Sequence, residues 1–262
     1  MAAEPRGQEA AEALRHRLDL GHGYVDVFRV IADLNIELYR GTFEGALDGA
    51  FLRKDRADFV FVNSNGSLTR QRMTAAHELG HAQFAVEDGE GVFEDTDGDD
   101  PEEKDAYEFA RHFLMDARGV REQVAGVEDQ LHRVAVVASH FVVSPAAAAI
   151  HLKLLGEVEP SFADTLIGKL RSQEVKAGDL LRCFGLSSTF TEPLSAPAMI
   201  DGAHRQRAIG AYAQGLLTFV GLADSLVLSP EETANLLVAE DLPVRDDDAP
   251  LGKEFEAELI LG

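Results

Sequence analysis

The sequence predicts an α+β fold: a helix-rich unit with one small sheet, followed by mainly α-helical segments. Three observations carry this. Short apolar runs of strand length gather between Ile36 and Asn63. Beyond Ser67 apolar residues recur mostly at the three- and four-residue spacing of helices. Short strands with helices before and after them make a small antiparallel or mixed sheet backed by helices.

The elements follow in order. Residues 8–20 carry Ala, Leu and charges at helical spacing, and a second helix spans Tyr24 to Leu34 with Val27, Val30, Ile31 and Leu34 on one side. Ile36 to Tyr39, a segment from Gly49 to Leu52, and Asp58 to Asn63 read as strands. The last of these, with Phe59-Val60-Phe61-Val62, runs into Asn63-Ser64-Asn65-Gly66, a turn. A long helix follows from Ser67 to Ala85. Residues 87–100 are acidic and glycine-bearing, and they read as a solvated loop. Asp95-Thr96-Asp97-Gly98-Asp99 hints at calcium, but its glycine is misplaced for an EF-hand loop. Asp100 suits an N-cap and Pro101 the first helical turn. The helix they open runs to Asp116 with a stripe of Ala106, Phe109, Ala110, Phe113 and Leu114.

Leu131 to Ser139 and Pro145 to Leu155 read as helices joined through Phe141-Val142-Val143-Ser144, with Ser144 and Pro145 as N-cap and first turn. Pro193 and Pro197 flank a loop, and His204 to Gln214, Thr218 to Leu226 and Pro230 to Ala239 form three more helices turning at Gly215 and Ser229. Asp246 to Asp248 reads as a loop and Lys253 to Leu261 as a terminal strand. Cys183, beside Leu180, Leu181 and Phe184, reads as a small buried side chain.

Composition bounds the function. Of the 262 residues 45% are apolar and 27% charged, as in ordinary globular proteins. No apolar run approaches a membrane span, and Met1 to Gln8 holds no secretory h-region. A single cysteine allows no internal disulfide. Together these lead to an expected cytoplasmic location with no membrane partner. The net charge of −22 argues against strong nucleic-acid binding, which Lys and Arg drive, and suits a basic partner.

The chemistry concentrates in His77-Glu78-Leu79-Gly80-His81. Two imidazoles four residues apart share one helix face, one turn apart, and can grip one Zn²⁺. Glu78 lies about 100° around the helix. From there it can take a proton from a metal-activated water without being a ligand. The alternative is a helix with two histidines on its packed side, since His77 and His81 share a stripe with Met73, Gly80 and Phe84. A catalytic zinc usually takes a third protein ligand and leaves one position open. On the next helix Glu108 lies opposite the apolar stripe and Asp105 well off it, while Glu102 and Glu103 fall on its two edges. Glu103 could also reach back to Asp100 in a capping box. Geometry does not separate Glu102 from Glu103.

The segment Arg70-Gln71-Arg72-Met73-Thr74-Ala75-Ala76 leading into His77 to His81 resembles the ImmA/IrrE family of metallo-endopeptidases. So do Phe61-Val62-Asn63-Ser64 and the later run from Glu103 to Met115. The resemblance covers about residues 20–155. It implies a zincin-like metallopeptidase unit whose zinc site is completed by the glutamate three residues before the small residue of the second motif, here Glu103 before Ala106. Tyr107 stands where the family usually has Asn or Asp, and Asp116 where it usually has proline; neither change removes a ligand. The pair of helices after the unit resembles the family's helix-turn-helix, the alternative being a packed αα-hairpin. Residues 118–159 hold four Lys/Arg and five Asp/Glu, so strong DNA binding is not expected.

These readings divide the chain into a zinc metallopeptidase domain (1–117), a helix-turn-helix-like segment (118–159) and a mainly helical C-terminal domain for partner binding (160–262). The expected protein is a zinc-dependent endopeptidase in which His77, His81 and Glu103 hold the metal and Glu78 is the base. Mn²⁺ and Fe²⁺ fit the same donors. Tyr107 and His112 are the candidates for oxyanion support. The resemblance implies a protein substrate, such as a helix-turn-helix transcriptional repressor cut under stress. The alternative is a non-hydrolytic regulator, or a toxin-like protein, that binds a repressor or antitoxin through the same fold.

Overall fold

In the run Ala57–Asn63, Val60 and Val62 are fully buried while Phe59 and Phe61 are half-buried, the alternation of a strand with one face on a core. The computed structural model describes residues 6–42, 47–54, 57–84, 92–93, 100–193, 199–200, 202–226, 228 and 230–244. The sheet is built around that strand, β3. It pairs in parallel with β1 (Glu37–Gly41), Leu38 opposite Val60, and antiparallel with β2 (Gly49–Lys54), Phe51 opposite Val60. Two-residue edge pieces, β4 (Val92–Phe93) and β5 (Met199–Ile200), complete the order β4-β2-β3-β1-β5.

Helices α1 (Arg6–Arg17) and α2 (Val27–Asp33, capped by Asp26) precede the sheet. Helix α3 (Leu68–Phe84) follows β3 and lies on the sheet, and α4 (Pro101–Leu114) packs between α3 and α1. Asp100 caps α4 by accepting from the Glu102 amide, with Pro101 in the first turn as expected. Asp116, which stands in place of the family's proline, caps α5 (Ala117–Val124) through the Arg118 and Gly119 amides and pairs with His22 at 2.8 Å. A carboxylate there starts a new helix where proline would only stop the old one.

Helices α6 (Gln130–Phe141) and α7 (Pro145–Leu154) form the expected pair, joined through Val142 in the left-handed region (φ 52°). Two further helices, α8 (Pro160–Arg171) and α9 (Ala177–Cys183), lie in the stretch expected to be mainly helical, where no individual helix was singled out. Their signal was Pro160 at the first turn and the 163, 166, 167, 170 spacing of buried residues in α8. Cys183 is exposed, contrary to expectation, because α9 is short and buries only Leu180 and Leu181.

Residues 1–199 and 200–262 form two compact units. This differs from the expected breaks after 117 and 159. Apolar residues of α5 to α9 share one core with those of the sheet, α3 and α4, from Ala11 to Leu181, so they have no separate core to fold around. The second unit holds the three expected helices, α10 (Gly202–Ala213), α11 (Phe219–Leu226) and α12 (Pro230–Ala239), around Ile209, Tyr212, Phe219, Leu222 and Leu237. The 94–99 stretch with its calcium hint, the 246–248 loop and the terminal strand lie outside the described residues. Among the described residues no single helix is long and apolar enough to cross a membrane.

Candidate metal centre

Helix α3 turns one face into the interior, and that face carries His77 and His81 at 5% and 3% exposure. Their Nε2 atoms lie 3.1 Å apart. Glu103, in the first turn of α4 and 3% exposed, closes the figure. One carboxylate oxygen is 3.1 Å from His77 Nε2 and the other 3.1 Å from His81 Nε2. Glu102, the competitor on the opposite edge of the stripe, is exposed. Asp100 caps the helix through the Glu102 amide, which leaves the Glu103 carboxylate directed at the histidines.

Two readings of this triangle compete. A hydrogen-bonded core cluster needs a proton in each contact, yet a neutral imidazole carries one N–H. Two Nε2 protons would serve the carboxylate and then face each other across the His–His contact. A cation in the middle satisfies all three contacts at once. A tetrahedral ion with bonds of about 2.0–2.1 Å sets its ligands roughly 3.3 Å apart, close to the spacing observed. Burial, and then the neighbouring His81, push the His77 imidazole down to about 3, so it is the neutral ring a metal requires. The three side chains therefore fit a resident divalent ion. Two nitrogens and a carboxylate suit zinc, and also manganese or iron.

Glu78, 3% exposed, lines a cavity of about 100 Å³ together with His77, Tyr107, Thr74, Arg70 and Asp48. Arg70 and Asp48 pair at 2.6 Å there. Tyr107 lies with its ring centroid 4.1 Å from that of His77, so packing braces the imidazole where the family's pattern has Asn or Asp. His77 Nδ1 has no hydrogen-bond partner among the described residues. His112, the other oxyanion candidate, is not among the lining residues; its ring packs on buried His151, centroids 4.9 Å apart.

Three glycine and arginine positions that the motif reading passed over shape the centre. A Cβ on Gly49 would meet Thr74 Cγ2 and come 3.0 Å from Glu78 Oε1, so only glycine lets β2 approach Glu78 this closely. Gly80 lets α3 approach α4 at Ala106. Arg72 donates to the Val25, Phe141 and Val142 carbonyls and to the Tyr24 hydroxyl, tying α3 to the α6–α7 corner. A glycine inside a helix costs about 1 kcal/mol, and that cost was the one local hint that Gly80 serves packing.

No curated protein matches the chain. The Peptidase_M78 pattern, described as the IrrE N-terminal-like domain, matches residues 33–153, from the end of α2 into α7. The buried His–His–Glu triangle and Glu78 all fall inside this stretch. Over that stretch the chain is similar to the ImmA/IrrE-type metallopeptidase domain.

Proposed function

We propose that the protein is a zinc-dependent, site-specific endopeptidase of the cytoplasm that cuts a regulatory protein, a helix-turn-helix transcriptional repressor cleaved under stress. The observation that carries the proposal is the convergence of three buried donor atoms, on two helices, beside a buried glutamate that lines a cavity. His77, His81 and Glu103 would hold the ion. When bound, such an ion lowers the pKa of a water toward neutrality and polarises a carbonyl. Glu78 accepts the proton of the attacking water and returns it to the leaving amine. Its burial beside His77 keeps it within the cavity and out of bulk water. Tyr107 holds His77 in orientation by ring contact. A basic DNA-binding protein as substrate complements the net charge of −22.

The test is incubation of the metal-loaded protein, and of Glu78→Gln, with a purified candidate repressor. The wild type yields two discrete fragments. The variant keeps its metal and is slower by about 10²–10⁴-fold. Equal cleavage by both refutes Glu78 as the base. A stable complex with no fragments at any metal loading supports binding without hydrolysis instead.

A further inference from the structure

A second, larger cleft of about 450 Å³ opens in the first unit, between the start of α7, the end of α8, the start of α9 and Thr191 to Pro193. Its charge is unlike that of the chain. Arg171, Lys176 and Arg182 line it against one acid, Glu192, in a protein with 46 acidic and 24 basic residues. Nearby cations are neutralised: Lys153 pairs with Asp164 at 2.6 Å and Lys169 with Glu174 at 3.4 Å. Arg171 and Lys176 make no ion pair among the described residues. Arg182 is held in place. It donates to Ser188 Oγ at 2.7 Å and to Asp179, with Glu192 3.8 Å away. Gly178 keeps the wall thin, since a Cβ there would lie 3.2 Å from the Arg182 guanidinium and 3.4 Å from Thr191 Oγ1. Ala146 and Leu170 supply an apolar side.

Exposed cations are ordinary on a protein surface. Two unpaired ones and a braced third, facing a concavity, are not explained by solubility in a chain this acidic. Guanidinium and ammonium groups lining one hollow match a dianionic phosphate. The volume falls in the range of small-ligand sites, about 300–1,000 Å³. Screening over about 8–10 Å lets a small anion in the cleft respond to the local cations rather than to the distant acidic surface. A long polyanion would meet both. We infer that this cleft is a binding site for a small phosphate-bearing ligand of mononucleotide size. The inference is independent of any peptidase activity.

Titration calorimetry on the metal-loaded full chain tests it, with AMP, inorganic pyrophosphate and a short DNA duplex as probes. AMP or pyrophosphate binds at one site per chain. The double variant Arg171→Glu/Lys176→Glu weakens that binding by at least about tenfold, with metal content and melting temperature unchanged. Lys169→Glu, exposed and outside the cleft, leaves the binding unchanged. Four results overturn the inference: neither small probe binds; the double variant binds them as well as wild type; Lys169→Glu weakens binding as much as the double variant; or the duplex alone binds.

Discussion

Replacing Gly80 with alanine tests whether the spacing of α3 and α4 sets the metal centre. A Cβ at Gly80 would lie 3.1 Å from Ala106 Cα, 3.2 Å from Ala106 O and 3.2 Å from Phe109 Cδ1. Comfortable carbon contacts are about 3.5–4.0 Å, so the two helices must part by roughly 0.3–0.5 Å. Two of the three obstructing atoms are backbone, and they cannot swing aside as a side chain would. Glu103 sits one turn before Ala106 on the same helix, so its carboxylate retreats too. Metal–ligand distances tolerate about ±0.2 Å. The expected loss in zinc affinity is about 10–100-fold, or roughly 1.4–2.8 kcal/mol. Stability of the metal-free protein falls by about 0–2 kcal/mol, because alanine gains about 1 kcal/mol over glycine in a helix, against overpacking strain of about 1–3 kcal/mol. Zinc affinity is read by competition with a chromophoric chelator, and stability by melting with and without zinc. Gly168→Ala on α8 is the control, since a Cβ there meets nothing within 4 Å. Wild-type zinc affinity in Gly80→Ala would show that this helix contact does not set the ligand spacing.

Other perturbations follow the same geometry. Glu103→Gln keeps the shape but gives up the anionic ligand; zinc affinity falls by more than about a hundredfold, and an unchanged dissociation constant would remove Glu103 from the site. Arg72→Met strands the Val25, Phe141 and Val142 carbonyls and costs at least about 3 kcal/mol in urea unfolding; a cost below about 1 kcal/mol would show that water replaces the guanidinium. Burial, and then His112, push the His151 imidazole down to about 3 from an ordinary value of 6.5, so it folds neutral. The unfolded chain then takes up the extra proton, and stability is lost as pH falls below 6.5 toward 3. The loss reaches about 2 kcal/mol at about pH 5. Urea unfolding at stepped pH measures that slope, and a slope identical in His151→Phe would place its origin elsewhere.

Much of this was written locally. His77, Glu78 and His81 lie in one pentapeptide, and a rise of 1.5 Å with 100° per residue fixes their relation before any tertiary contact forms. The apolar run Phe59 to Val62 and the cap pairs Asp100-Pro101 and Ser144-Pro145 are equally local, and each stands as read. Glu102 and Glu103 were different. Both sit at edges of one stripe, and angular position alone could not rank them; the family's pattern named Glu103, and the packed helices put it on both imidazoles. Cys183 looked buried from its neighbours, but a two-turn helix seats only Leu180 and Leu181 in the core.

The sequence alone determined the reactive face of α3, the strands beneath it and the order of most helices, because hydrogen-bond periodicity ties each to residues a turn or a pleat away. Tertiary structure alone decided how the Glu103 carboxylate meets both imidazoles, where His112 goes, and that α5 to α9 join the core of the sheet unit. Those outcomes depend on how closely two helices can approach. At Gly80 and Ala106 that distance is set by the absence of a side chain, and only its partner across the interface gives such an absence a meaning.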